Sequence, residues 1–156
     1  MSNPQPDRAD EIKQELERMV GPIGEPEMVP VELLSAVRMA MAVEDFDPIH
    51  YDASAAQARG YRGIVAPWPI LSLLQYNCSH EPPAFTFGLA TVHGEDGFEY
   101  HEPIIVGDVI TVEAAVRDAQ LKRGRSGLLG LVTTERRFTN QLGQLCAVAR
   151  TIVIRR

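Results

Sequence analysis

The sequence predicts an α+β domain: an antiparallel sheet wrapped around one long, buried central helix. Three observations carry this. Helix-like periodicity is confined to the first half and strand-like alternation to the second. The segment Ile70–Tyr76 is apolar almost all round, as in a helix buried on every side. Turn-forming clusters punctuate the second half at intervals that suit long hairpins. With 156 residues, 45% hydrophobic and 23% charged, the chain suffices for one core.

Taken in order, "MSNPQP" reads as a disordered tail. Asp7 is placed to cap a helix to about Met19, with Ile12, Leu16 and Met19 on one face and Gly21 as the stop. Residues 1–21 are taken as this tail and helix, and residues 22–156 as the domain proper. "GPIGEPEMVP" is a turn region with room for a short strand. "VELLSAVRMAMAV" predicts a second helix, with Leu33, Leu34, Val37 and Ala40 or Met41 as its apolar stripe. "DASAAQARG" reads as a short helix capped by Asp52 or Ser54 and ended by Gly60. In the central helix, Pro67 and Pro69 suit the first turn, where no intrahelical N–H is needed. Strands are expected in "FTFGLATVHG", "FEYHEPI", "DVITVEAAVRDAQL", "LLGLVTTERRFTN" and "LCAVARTIVIRR". In the third of these, Ile110, Val112, Ala114 and Val116 alternate with more polar neighbours.

The net charge of −6 excludes a generic nucleic-acid binder, which carries a basic face. Cys78 and Cys146 form no metal-type pair and no disulfide framework, so buried free thiols are expected. The N-terminus lacks a signal-peptide core, and the longest apolar run, "IVAPWPILSLL", is well short of the ~20 residues of a membrane span. A cytoplasmic protein is expected.

The chemistry concentrates in "VEDFDPIHYD", where Glu44, Asp45, Asp47 and Asp52 surround His50. One reading is a turn that caps the next helix. A second is a metal site, disfavoured because His80, His93 and His101 are scattered. A third is general acid–base catalysis, with Asp45 and His50 brought together across the Pro48 turn to hold a water. No metal and no cofactor is expected.

"EDFDPIHYD", followed by "GYRGIVAPWPILSLL", resembles the hydratase signature of the MaoC-like hot-dog family, which includes (R)-specific enoyl-CoA hydratases and 3-hydroxyacyl dehydratases. "GFEYHEPIIVGDVITVEAAV" and "KRGRSGLLGLVTTERRFTNQLGQLCAVARTIVIRR" are similar to the strands of its MaoC-like dehydratase N-terminal domain subgroup. The resemblance covers roughly residues 22 to 156. It implies a hot-dog fold and reversible hydration of a trans-2-enoyl thioester, with an acyl-CoA or acyl-carrier thioester as substrate. Asp45 and His50 fall on the catalytic pair, Asp47 on an asparagine of the loop, and Asp52 on the trailing acid. Glu44 replaces the family's usual glycine. Asp47 brings an added negative charge, expected to raise the pKa of Asp45. "APW" stands for the usual Ala-His-Gly, so the Trp68 N–H becomes the first candidate oxyanion donor and the Ile70 N–H the second.

Tyr61 and Tyr76 are candidate pocket walls. Lys122, Arg123 and Arg125 form a basic hairpin suited to phosphate contact, with a solvated hairpin tip as the plainer alternative. The resemblance also implies a dimer of hot-dog domains, either homodimeric or with a related MaoC-like chain. Many domains of the subgroup have lost the catalytic pair, so a non-catalytic or half-catalytic subunit is the alternative, and a hot-dog thioesterase a second one.

Overall fold

The computed structural model describes residues 8–81, 85–88, 90–125 and 127–156. The N-terminal tail, the Asp7 cap, Leu89 of the first expected strand and Ser126 of the basic turn lie outside them. Helix α1 (Arg8–Met19) leads into strands β1 (Gly21–Pro22) and β2 (Glu27–Pro30), then helix α2 (Leu33–Ala42). A 3-10 turn (Pro48–His50) precedes α3 (Ala53–Ala58) and α4 (Ile70–Tyr76). Four long strands close the chain: β3 (Thr91–Tyr100), β4 (Val109–Gly124), β5 (Gly127–Thr139) and β6 (Leu145–Arg155). All pairs are antiparallel, in the order β1-β4-β5-β6-β3, with β2 also on β4.

The sheet curls around α4, as expected. Ile70, Leu71 and Leu74 of α4 are buried against Ile110, Val112, Phe138, Ala147 and Ala149 of the sheet. The alternation read in β4 holds, with Ile110, Val112, Ala114 and Val116 all buried. Both hairpins form. Asn140 closes the β5–β6 turn by accepting the N–H groups of Leu142 and Gln144 on its Oδ1. A second cluster joins Ile12, Leu16 and Met19 of α1 to Val116 and Val132, so α1 covers one end of the same sheet.

Three expectations need correction. The central helix is short: seven residues, entered through a tight turn in which Pro67 O, Trp68 O and Pro69 O accept the N–H three residues on. It is not buried all round either, since Tyr76 is 81% exposed and cannot wall an internal pocket. Of the stripe expected in α2, Ala40 is buried as expected, but Leu33, Leu34 and Met41 are exposed, and the other buried position is Ala36. The helix sits on the rim and meets the core through its small residues, which allow close approach. Finally, the first two expected strands merge: β3 joins the end of the first to the start of the second, and residues 85–88 and 101–104 lie outside any strand. A register irregularity falls between His93 and Glu95, around Gly94.

Cys78 and Cys146 are free, and burial pushes both thiols up. No helix among the described residues is long and apolar enough to cross a membrane.

Candidate active site

The site begins at the end of α2. Val43 caps the helix, and the Glu44 N–H donates to Met41 O (3.2 Å) while the Asp45 N–H donates to Ala40 O (2.9 Å). This is the Schellman arrangement, which requires a left-handed residue just after the cap. Glu44 supplies it with φ 56°, the one non-glycine residue at positive φ among those described. The backbone thus keeps a glycine-like conformation where the side chain is not glycine, and Asp45 is aimed by the helix stop itself. A left-handed L-residue costs roughly 1–2 kcal/mol, partly offset by the greater flexibility of unfolded glycine. Glu44→Gly is therefore expected to raise stability by about 0.5–1 kcal/mol in urea unfolding, with the loop unchanged. A loss of stability would show that the Glu44 side chain contributes something the backbone argument omits.

The 3-10 turn positions His50. Asp47 caps it, its Oδ1 accepting the Ile49 N–H at 3.1 Å. His50 is buried, and its two ring nitrogens have separate partners. Nδ1 lies 2.6 Å from the Val65 carbonyl oxygen, and Nε2 lies 3.2 Å from Asp45 Oδ2. A carbonyl only accepts, so Nδ1 carries a proton. Nε2 then faces a carboxyl oxygen of Asp45. Asp45 and His50 are closer than the water-bridged arrangement expected from their spacing; they touch directly. Asp45 Oδ1 accepts the Asp47 N–H, and Tyr51 OH donates to Asp45 O at 2.7 Å. The His50 side chain is 8% exposed and that of Asp45 is 45% exposed, so the pair opens outward on the Asp45 side.

The remaining candidates divide. Asp47 turns its charge away from Asp45: its Oδ2 takes the Arg59 guanidinium at 2.6 Å. The Ile49 N–H and then Arg59 hold the Asp47 carboxyl below the usual range. The extra charge that the sequence placed beside Asp45 is thus answered by Arg59. Asp52 caps α3 through the Ser54 and Ala55 N–H groups. The Trp68 ring packs on Tyr100 of β3, centroids 4.3 Å apart. The Trp68 backbone N–H has no acceptor among the described residues, whereas the Ile70 N–H is taken by Pro67 O at 2.9 Å, which removes Ile70 as a donor to an oxyanion. Tyr61 lines a separate cleft of about 240 Å³ with Arg62, Glu102 and Leu142, and neither Asp45 nor His50 borders it. Arg125 is exposed at the β4–β5 turn, at the opposite end of β4 from Val109.

Sequence reasoning missed Val65, Tyr51 and Arg59. Val65 acts through its carbonyl, which no side-chain pattern reveals. Tyr51 and Arg59 were legible only as residues near the motif.

The family described as "FAS1-like, dehydratase domain region" matches residues 18–149. A UPF0336 protein of Saccharopolyspora erythraea is 31% identical over 121 residues, covering 74% of this chain and 75% of that protein. Among solved structures, a MaoC-like dehydratase superposes with a TM-score of 0.72 at 28% identity, covering 90% of this chain and 43% of that one. The ChsH1-ChsH2 complex from Mycobacterium tuberculosis superposes with a TM-score of 0.77, covering 94% of this chain and 96% of that one. Its 18% identity establishes the shared hot-dog fold alone.

Proposed function

This chain belongs to the FAS1-like dehydratase domain region family, and from that premise we propose that it interconverts a trans-2-enoyl thioester and a 3-hydroxyacyl thioester. The observation that carries the reading is the locked ring of His50, with Nδ1 on Val65 O and Nε2 directed at Asp45 Oδ2. The half-exposed Asp45 side chain has room to swing aside and admit a water between the two groups. His50 Nε2 then takes one proton of that water as its oxygen bonds to C3, and the Asp45 carboxyl proton passes to C2. The pair begins and ends with one proton between its members, while the substrate gains H and OH. The developing enolate oxygen needs a donor, and the Trp68 N–H is the group assigned to it. Dehydration runs the same steps backward.

The substrate is an acyl-CoA or acyl-carrier thioester, and Arg125 remains a candidate phosphate contact only from a neighbouring chain's site, given its place at the hairpin tip. The test is loss of enoyl absorbance across a panel of trans-2-enoyl-CoA substrates, with free thiol measured in parallel. Hydration consumes the enoyl group and releases no thiol. Thiol release would replace this reading with a thioesterase.

A second reading is a subunit that works only with a related chain. Met41, Val43 and Phe46 are exposed beside Asp45, Phe46 at 70%, and such a patch next to a half-open acid suits cover by a partner. Inactivity alone, with activity restored by a related MaoC-like chain, would favour it.

A further inference from the structure

The carbonyl that fixes His50 belongs to a strip, residues 60–66, with no regular secondary structure beyond one bridge, Val65 to Ile105. The strip lies tightly on residues 104–106. The Ala66 N–H donates to Ile104 O and the Val106 N–H to Ile64 O, both at 2.8 Å. A Cβ on Gly63 would come within 3.2 Å of Ile105 Cγ2. In this pairing the N–H and carbonyl of Ile105 point away from Val65, and Asp108 takes both. Its Oδ2 accepts the Ile105 N–H, and its own N–H donates to Ile105 O, each at 2.9 Å.

Asp108 is 1% exposed. A buried carboxylate is tolerated only when its oxygens are answered. Arg62 Nη2 reaches both oxygens at 3.0 Å, and Gln141 Nε2 reaches Oδ1 at 2.9 Å. Arg62 stands three residues before Val65 on the strip. The ion pair therefore ties the strip to the base of β4 three residues before the Val65 carbonyl.

We infer that Arg62 and Asp108 are positioning residues for His50: their ion pair holds the Val65 carbonyl in place and so keeps the imidazole proton on Nδ1. This rests on the proposed role of Nε2 as the proton acceptor. Neither residue touches the reacting atoms. Releasing the strip lets the carbonyl drift and frees the ring to rotate or to take the other tautomer.

The experiment uses the full chain labelled with ¹⁵N-histidine. In the native protein, His50 is expected to show a single Nδ1–H tautomer with a strongly hydrogen-bonded proton. Arg62→Met should mix the tautomers and speed exchange of that proton. It should also lower kcat by about 10- to 100-fold, with KM within about twofold, the signature of a misplaced reacting group. Arg62→Lys, which keeps the charge, should restore most of both. Gln141→Leu removes a different donor from Asp108 at an exposed position and should shift the same resonance in the same direction, which keeps the test available if Arg62→Met does not fold. An unchanged His50 tautomer in the folded variants would overturn the inference. The tautomer is read without turnover, so a native chain that fails to consume enoyl thioester would refute the proposed function and leave this result standing on its own.

Discussion

His50→Asn is expected to lower turnover of an enoyl thioester by at least ~10²-fold while leaving the fold intact. The choice of asparagine follows from the geometry. His50 is buried and its Nδ1 proton satisfies the Val65 carbonyl at 2.6 Å. Alanine would remove the base and orphan that carbonyl, adding an expected cost of roughly 1–3 kcal/mol in stability. An asparagine amide stands close to where Nδ1 stood, so it keeps that bond and deletes only Nε2. Asp45→Asn should have an effect of the same order, because an amide can still donate toward Nε2 but carries no transferable acid proton. Asp47→Asn should be mild. It retains the cap on Ile49 and gives up the exposed pairing with Arg59. Turnover of His50→Asn near the native level would remove His50 from the mechanism.

Much of the architecture was legible because local pattern and tertiary role coincided. In β4 the period of two persists through Val116, and the sheet has one face on the core. The face of α1 was legible for the same reason, Ile12, Leu16 and Met19 being its buried residues. Where pattern and role parted, the reading failed. Of the stripe expected in α2, Leu33, Leu34, Val37 and Ala40 or Met41, only Ala40 is fully buried, and Leu33, Leu34 and Met41 are exposed, because hydrophobicity does not distinguish a core face from an exposed rim. The apolar run at Ile70–Tyr76 suggested a long helix. The two prolines before it delay regular hydrogen bonding to Ile70, and Asn77 already caps the other end.

The site was legible as a motif and illegible as a mechanism. Asp45 and His50 stood out because two titratable groups flank a proline turn. The left-handed backbone at Glu44 was not readable from that residue, since an acidic side chain does not announce positive φ. The direction of the Asp47 charge depended on Arg59, twelve residues on, and the tautomer of His50 depended on a backbone carbonyl fifteen residues on. Both are consequences of how α3 and the strip after it fold back, which no local spacing encodes.

Phe98→Asp on β3 is expected to weaken self-association or pairing with a related chain by at least ~30-fold, the equivalent of about 2 kcal/mol for a lost aromatic anchor. Among the described strands, β3 pairs only with β6 and ends the sheet, so its other edge carries unpaired backbone groups. Nearly all of its residues are exposed, including Val92, Phe98 and Tyr100, and Phe98 stacks parallel to Tyr100. Tyr100 in turn carries the Trp68 ring, so a chain added at this edge would lie next to the entry of α4. The charges of β3 bear on which chain that is. Glu95, Asp96 and Glu99 stand against a single histidine, His93. Asp96 is answered by His93 and Thr151, and Glu99 by Arg150. In an antiparallel pair of two copies the acids approach their own kind, which opposes association. Added salt screens that repulsion, so a homodimer should tighten between low and high ionic strength, whereas a pair with a basic-edged relative should loosen. Light scattering at two salt concentrations, on the native chain and on Phe98→Asp, with and without a related MaoC-like chain, reads both effects. An active monomer at micromolar concentration, indifferent to Phe98→Asp, would overturn the role of this edge.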